Sequence, residues 1–205
     1  MSNSILLVIA TRNHGKIHEI GELLKNFPLK LKNLDDFGSI PDVIEDGDTF
    51  DENAYKKASF TARILGLPAL ADDSGLLVEA LGGAPGIHSA RYAGENATDE
   101  QRCSKILHKM EGQTNRKAAF ECVISIAVPS GLALTYEARC EGLVAMRPAG
   151  LNGFGYDPIF YYPPLKKTFA ELSRAEKSQI SHRGKALREL QGEFDKVLTW
   201  IGQKM

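Results

Sequence analysis

Two adjacent carboxylates, Asp72 and Asp73, follow a short apolar run and precede a Ser-Gly pair. The run over residues 65–71 predicts a buried strand, and Ser74-Gly75 predicts a turn after it. Neighbouring side chains of a strand point to opposite faces, so at most one of the two carboxylates enters a given site. Because buried charges without partners are costly, we expect a metal, a cation or a hydrogen-bond network beside them. The chemistry of the protein is therefore expected at this point of the chain.

A second acidic segment, residues 45–52, carries five carboxylates in eight positions. An EF-hand calcium loop does not fit, since counting from Asp46 places Asp51 at the glycine position and Lys57 at the bidentate glutamate position. Most of these acids are interpreted as solvated side chains of a first helical turn. Glu45 is the exception, because it precedes the turn and can reach the paired aspartates. Two or three convergent carboxylates commonly hold Mg²⁺ together with water and substrate phosphate, so the segment suggests an Mg²⁺ ligand.

The segment Thr11-Arg-Asn-His-Gly-Lys16 lies between a predicted strand and its helix. Backbone N–H groups at a helix N-terminus, with the cations of Arg12 and Lys16, suit a phosphate group. The segment is not a Walker A loop, because the second glycine and the Ser/Thr after the lysine are missing. The alternative interpretation is a plain turn with Asn13 as the helix N-cap.

Another segment, Gly153-Phe-Gly-Tyr-Asp-Pro-Ile-Phe160, places glycines beside aromatic residues. Glycines allow close approach of a flat ligand, and Phe154 or Tyr156 is suited to stacking on a nucleobase. The alternative is a bulged strand whose aromatic side chains belong to the core.

The last segment, Lys177-Ser-Gln-Ile-Ser-His-Arg183, offers three donors just before a predicted helix. Charge-assisted hydrogen bonds from such donors suit a phosphate or a base carbonyl. The alternative is an exposed basic start of that helix.

Alternating strand and helix patterns predict the elements that must position these segments. Apolar residues at helical spacing up to Pro28 predict a first helix, and Thr49 with Glu52 forms a capping-box pattern before a second. The other predicted elements are a strand at Ile5–Ala10, a helix at Asp99–Met110, paired strands over residues 118–128 and 132–144 around a Pro-Ser-Gly turn, and a final amphipathic helix with Leu187, Leu190, Phe194, Val197, Leu198 and Ile201 on one face. The pattern predicts a mixed α/β fold.

The 205-residue chain is 43% hydrophobic, which is enough to bury a core as one domain. Its formal net charge of -1 argues against a nucleic-acid polymer as the main partner, because proteins that bind one carry a basic excess. The N-terminal apolar run is too short for a membrane span or a signal peptide, so no membrane contact and a cytoplasmic location are expected. Cys103, Cys122 and Cys140 are widely spaced and are interpreted as buried thiols of a reducing compartment.

These segments occur in an order that closely resembles the inosine/xanthosine triphosphate pyrophosphatases, which remove deaminated purine nucleotides. The similarity covers nearly the whole chain and is carried by Thr11–Lys16, Glu45, Ala71-Asp-Asp-Ser-Gly75, Pro85–Gly94, Phe154–Phe160 and Ser181-His-Arg183. The resemblance implies an elongated mixed sheet with flanking helices, forming two lobes with the active site in the cleft between them. It also implies that residues 1–205 act as a single domain.

The resemblance further implies Mg²⁺-dependent hydrolysis of ITP, dITP and XTP to the monophosphate and pyrophosphate, which keeps these nucleotides out of DNA and RNA. A cytoplasmic homodimer is implied as well. Related pyrophosphatases that act on thymidine or uridine triphosphates, and a nucleotide sensor without catalysis, are the alternatives. The first should lack the Phe-Gly-Tyr-Asp and Ser-His-Arg motifs, and the second should lack Glu45 or Asp73.

Position by position, the resemblance implies that Asp73 activates the attacking water and that Glu45 and Asp73 hold Mg²⁺. The loop before the first helix would cradle the triphosphate, and the two C-terminal segments would form the base pocket. The implied substrate-binding residues are Thr11, Arg12, Asn13, His14, Gly15, Lys16, Ser74, Phe154, Gly155, Tyr156, Asp157, Lys177, His182 and Arg183. Arg12 departs from the family pattern, since many members carry a small residue there.

Overall fold

The computed structural model describes residues 4–41 and 43–205, and over these residues it shows a seven-stranded mixed sheet with flanking helices. The strands are β1 (Ile5–Ile9), β2 (Leu29–Asn33), β3 (Ala69–Val78), β4 (Lys117–Ala127), β5 (Ala133–Val144), β6 (Phe160–Tyr162) and β7 (Lys167–Thr168). The helices are α1 (His14–Leu24), α2 (Phe50–Leu65), α3 (Asp99–Lys109), α4 (Arg174–Ile180) and α5 (His182–Lys204). The predicted α/β class is confirmed.

The sheet has the order β2-β1-β3-β4-β5-β6-β7. Strand β1 pairs in parallel with β2 and with β3. Strand β6 pairs antiparallel with β5 and with β7. The sheet is therefore mixed, as predicted, with its parallel part at the β2 edge.

Most predicted elements agree with the structure to within a residue or two. Helix α3 begins at the predicted Asp99, and Thr98 and Gln101 form a capping box at its start. Helix α1 ends at Leu24, earlier than its apolar spacing predicts. The residue before a proline disfavours helical backbone, and Phe27 precedes Pro28. Phe27 therefore lies beyond the helix, where its ring centroid is 4.3 Å from that of Phe194.

The prediction around the paired aspartates is partly wrong. Helix α2 continues to Leu65 and ends at Gly66, whose φ of 65° gives the left-handed C-cap that glycine favours. Strand β3 then begins only at Ala69 and runs straight through Ser74 and Gly75, where a turn was expected. The apolar residues that follow are largely buried, and their packing outweighs the local turn preference of Ser-Gly.

The chain divides into two compact units. The first unit contains the described part of residues 1–73, residues 123–137 and residues 186–205. In its core, Ala58 and Ala62 of α2 pack against Val8 of β1 and Ala69 and Ala71 of β3. These small side chains let the helix lie close to the sheet, which brings the polar residues of α2 within reach of β3.

The second unit contains residues 74–122 and 138–185. Its core joins α3 to the sheet and includes the rings of Phe120, Phe160 and Phe169. The ring centroid of Phe160 lies 4.6 Å from that of Phe120 and 4.6 Å from that of Phe169. Cys103 and Cys140 are buried thiols of this core, as expected. Among residues 4–41 and 43–205, no helix is long and apolar enough to span a membrane.

Candidate functional site

Strand β3 carries Asp72 and Asp73 to opposite faces, and each meets its own lysine. Lys16 of α1 pairs with the carboxylate of Asp72 and donates a second hydrogen bond to its carbonyl oxygen at 3.2 Å. The side chain of Asp72 is fully buried. On the other carboxylate, Nζ of Lys57 lies 2.6 Å from Oδ1 of Asp73. The alternation of the strand thus separates the two acids into two ion pairs, in agreement with the sequence analysis.

Lys57 connects Asp73 to the acidic loop before α2. Its Nζ lies 3.4 Å from Oε1 of Glu45, so one ammonium group faces two carboxylates. Glu45 therefore approaches Asp73 through Lys57, which contacts both carboxylates, and its role in the site stays a prediction. Lys57 is not among the site residues predicted from the motifs. The available signal was its position three residues after Ala54 on the buried face of α2, where a charge requires a partner.

Burial shapes the electrostatics of this cluster. Burial raises the pKa of the Asp73 carboxyl, and the ammonium groups of Lys57 and Lys16 offset this effect only in part. Burial opposes the charged form of Lys57, but the carboxylates of Asp73 and Glu45 outweigh it, so its pKa is raised as well. Both shifts favour retention of a proton by the pair. A carboxylate with a raised pKa is a better proton acceptor than an ordinary aspartate.

The carboxylate oxygens of Glu45 and Asp73 are the ligands that the resemblance implies for Mg²⁺. Oδ2 of Asp73 is buried and has no hydrogen-bond partner among the described residues. A buried oxygen in that state lacks compensation for its lost hydration. Hard carboxylate oxygens are the donors that Mg²⁺ prefers, and Glu45 and Asp73 already converge on one cationic group. These residues fit the ion.

No cluster of three or more His, Cys, Asp or Glu side chains suited to a metal is present within residues 4–41 and 43–205. Mg²⁺ does not require such a cluster, because it is commonly held by one or two carboxylates, with substrate phosphates and water completing its coordination. The assignment of Glu45 and Asp73 as its ligands stays a prediction.

The loop before α1 has the geometry of a capped helix start. Oδ1 of Asn13 accepts the N–H of Lys16 at 3.1 Å, and Oγ1 of Thr11 accepts the N–H of Asn13 at 3.1 Å. The N-cap interpretation of Asn13 is therefore confirmed. Arg12 donates to the carbonyl of Ile40 at 2.9 Å, and its Nε lies 3.7 Å from Asp35. Phosphate binding by this loop, including His14 and Gly15 at the start of the helix, stays a prediction.

The predicted base segment forms a tight turn in the second unit, not a bulged strand. Oδ2 of Asp157 accepts the N–H of Phe154 at 2.9 Å and pairs with Nζ of Lys177 at 2.5 Å. The N–H of Gly155 donates to Asp99 of α3 at 2.6 Å. Gly153 has a φ of 78°, and a Cβ there would lie 2.0 Å from Oδ2 of Asp157, so the turn needs glycine.

Two cations flank the half-buried ring of Phe154. Nζ of Lys177 lies 4.6 Å from the ring centroid, and the guanidinium carbon of Arg183 lies 5.5 Å from it. A nitrogen of Arg183 lies 3.4 Å from Oγ of Ser74. The structure thus brings together Ser74, Phe154, Asp157, Lys177 and Arg183, which the sequence analysis predicted from separate segments.

Tyr156 and His182 lie deeper than their predicted role suggests. The hydroxyl of Tyr156 donates to the carbonyl of Ser89 at 2.8 Å, and burial raises its pKa. The ring of His182 stacks on Phe120 with a centroid distance of 4.6 Å, and the residue is only 4% exposed. Both side chains support the core of the second unit, and their contact with a base stays a prediction.

Comparison with known proteins shows what the chain is similar to. The sequence model of the Ham1 family matches residues 7–193. The chain is 64% identical to a dITP/XTP pyrophosphatase of Syntrophobacter fumaroxidans, over 96% of this chain and 84% of that protein. It is 54% identical to a dITP/XTP pyrophosphatase of Desulfotalea psychrophila, over 98% of this chain and 90% of that protein.

Solved structures agree. The HAM1 protein from Coxiella burnetii superposes with a TM-score of 0.87 at 45% identity, covering 94% of this chain and 99% of that one. The Ham1 protein of Staphylococcus aureus gives a TM-score of 0.84 at 43% identity, covering 93% and 98%. The resemblance inferred from the motifs is confirmed, and with it, at the level of the family, the prediction of a nucleoside-triphosphate pyrophosphatase.

Proposed function

This chain belongs to the Ham1 family, and on that premise we propose that it hydrolyses dITP, ITP and XTP to the monophosphate and pyrophosphate. The proposed role is to keep these nucleotides out of DNA and RNA. The observation that carries the proposal is the convergence of Glu45 and Asp73 on one buried cationic group, with a buried oxygen of Asp73 left over. Residues 1–205 are proposed to act as a single catalytic domain, and the homodimer and the cytoplasmic location stay predictions.

We assign the phosphate chemistry to residues of the first unit. Glu45 and Asp73 would hold Mg²⁺, which when bound would neutralise phosphate charge and make water more acidic. Asp73 accepts a proton from the attacking water, whose oxygen bonds to the α-phosphorus as the bond to the bridging oxygen breaks. Pyrophosphate leaves with the electron pair of that bond. Lys16 and Lys57 contribute positive charge where negative charge accumulates, which is the main requirement of phosphoryl transfer.

Base recognition is assigned to residues of the second unit. The ring of Phe154 offers a stacking surface, and Lys177 and Arg183 beside it offer donors. Hypoxanthine and xanthine carry a carbonyl oxygen at position 6, where adenine carries an amino group. A buried donor that bonds the carbonyl would face another donor in adenine and lose its partner. Such a loss disfavours the wrong base strongly.

The test is the release of pyrophosphate from ITP, dITP and XTP, compared with ATP, GTP and dUTP, in Mg²⁺ and after chelation with EDTA. We expect rapid release from the deaminated purine nucleotides and about 10⁴-fold lower kcat/KM for ATP, because buried donors are left unpaired. Equal use of ITP and ATP would overturn the proposed specificity. Preference for dUTP would favour the related pyrophosphatases, and tight ITP binding without hydrolysis would favour a sensor. Activity that survives chelation would remove the metal mechanism.

A further inference from the structure

A buried amide fastens the loop that carries Glu45 to helix α2. Oδ1 of Asn53 accepts the N–H of Gly47 at 2.9 Å. Asn53 is 0% exposed, and Gly47 is buried as well. The loop over residues 43–47 belongs to no helix or strand, so it has no backbone ladder of its own to hold its shape. This hydrogen bond is therefore one of the contacts that place the loop on the helix.

Gly47 packs against Asn53 with no room for a side chain. A Cβ at Gly47 would lie 2.7 Å from Oδ1 of Asn53 and 2.8 Å from Cβ of Glu52. Because the φ of Gly47 is not in the left-handed region, close approach is what demands glycine here. The next residue adds a second link, since the N–H of Asp48 donates to Oε2 of Glu52 at 2.7 Å. The loop is thus docked on the first turns of α2.

Asn53 and Lys57 are four residues apart on α2 and so lie on the same face of the helix. Lys57 contacts the carboxylate of Glu45, and Asn53 holds the backbone two residues further along. One helix face therefore grips the loop at both points. Nδ2 of Asn53 has no hydrogen-bond partner among the residues that the structure describes. The amide therefore holds the loop through its acceptor, Oδ1.

We propose that Asn53 is a positioning residue for Glu45, because its bond to Gly47 keeps the Glu45 carboxylate beside Asp73. This inference rests on the proposed function of Glu45 as a ligand of Mg²⁺. The only role assigned to Asn53 is to hold the loop, and Glu45 and Asp73 remain the proposed ligands. Groups that hold a metal-ligating side chain in place typically change metal affinity or activity by about 10–100-fold when they are replaced.

The first variant is Asn53→Leu, which keeps a side chain of similar size and removes the acceptor. We expect faster amide hydrogen exchange at Gly47 in the nucleotide-free protein, because its N–H loses a buried partner. We also expect Mn²⁺ alone, followed by electron paramagnetic resonance, to bind about tenfold more weakly or worse. The Mg²⁺ concentration for half-maximal pyrophosphate release should rise similarly, with kcat at saturating Mg²⁺ changing much less. Thr61→Val, at another buried position of the same helix, is the matched control and should leave all three unchanged.

If Asn53→Leu does not fold, Gly47→Ala breaks the same link from the loop side and should weaken Mn²⁺ binding equally. Combined with Glu45→Gln, Asn53→Leu should add no further loss, because the two changes remove one interaction. Unchanged exchange at Gly47, unchanged Mn²⁺ affinity in a folded variant, or full additivity with Glu45→Gln would each overturn the inference. Parent-like Mn²⁺ binding by Glu45→Gln would instead overturn the proposed role of Glu45 as a ligand.

Discussion

Nζ of Lys57 lies 2.6 Å from Oδ1 of Asp73, and the two side chains are only 12% and 8% exposed. An ion pair held this far from solvent differs from a surface salt bridge. In a buried pair, the attraction between the two charges roughly balances the free-energy cost of removing them from water. Removal of one partner, however, leaves an uncompensated charge in a poorly solvated place. The pair is therefore a sensitive point for both stability and chemistry.

Replacing Lys57 with methionine should lower the free energy of unfolding by about 3–5 kcal/mol, because Asp73 loses its closest cation. The control is Lys56→Met. Lys56 is the neighbouring lysine on α2, and it pairs with Asp46 at the surface, where the two side chains are 41% and 68% exposed. Its loss should change stability far less, because ion pairs exposed to solvent contribute little. Urea unfolding at neutral pH measures both, and equal effects of the two substitutions would contradict the buried pair.

The effect of Lys57→Met should depend on pH. Burial raises the pKa of Asp73 in the folded protein, and Lys57 is the first of the cations that offset it. Without Lys57 that pKa rises further, so ionised Asp73 destabilises the variant above its raised pKa and ceases to do so as the carboxyl protonates. The difference in unfolding free energy between parent and variant should therefore narrow as pH falls from 7.5 towards 4. A difference in unfolding free energy that stays constant over this range would contradict the role of Asp73 as the titrating group. Adding Asp73→Asn to Lys57→Met should abolish the pH dependence of that difference.

The two aspartates should respond differently to the same substitution. Asp73→Asn should lower turnover by about 10²–10⁴-fold, because an amide cannot accept the proton of water, and the protein should still fold, because Lys57 keeps Glu45 as a partner. Asp72→Asn should act on stability, since its fully buried carboxylate is the partner of Lys16. Pyrophosphate release and thermal unfolding, measured on both variants, separate these effects. A folded but inactive Asp72→Asn beside an active Asp73→Asn would reverse the roles.

Phe154 and Arg183 should affect base recognition in different ways. Phe154→Ala should weaken ITP and ATP alike by about 1–3 kcal/mol, because every base presents a stacking face. Arg183→Ala should reduce the difference in kcat/KM between ITP and ATP, because it removes a candidate donor to the base carbonyl at position 6. Arg183→Lys keeps the charge without the planar fork and serves as the milder variant, since Arg183 is buried. Values of kcat/KM for ITP, ATP and GTP test the two roles, and a selectivity change in Phe154→Ala would contradict them.

The tight turn that begins at Gly153 and carries Phe154 and Asp157 should not tolerate a side chain at Gly153. Gly153→Ala would place its Cβ on the Asp157 carboxylate and break the bonds that hold Phe154 and Lys177. The matched control is Gly112→Ala, which has a similar φ of 72° and nothing within 4 Å of the added Cβ. That control should cost only about 1–2 kcal/mol of left-handed strain. Urea unfolding should show a clearly larger loss for Gly153→Ala, and equal losses would mean that the turn can adapt.

Sequence motifs predicted the element boundaries that neighbouring residues determine. The capping box of Thr98 and Gln101 fixes the start of α3, and the Pro-Ser-Gly turn fixes the ends of β4 and β5. The extension of β3 through Ser74-Gly75 was missed because sheet packing, and not the turn preference of two residues, decides the backbone there. Thr49 caps α2 as predicted, but Glu52 accepts the N–H of Asp48, so the expected reciprocal bond is displaced by one residue.

Site residues were predictable where motif and chemistry coincide, as at Glu45, Asp73 and the turn after Gly153. Lys57 and Asn53 were missed because their partners lie on a strand and a loop whose approach to α2 is a tertiary event. Buried polar residues on an otherwise apolar helix face were the only local sign of that approach.

The alternation of β3 also limits how the length of this chain can change during evolution. Asp72 faces Lys16 and Asp73 faces Lys57, one on each side of the strand. Gain or loss of a single residue between Ala69 and Asp72 would turn every later side chain to the other face of the sheet, so Asp72 and Asp73 would each face away from the present lysine partner. Within β3, a change in length of one residue would therefore break both ion pairs at once.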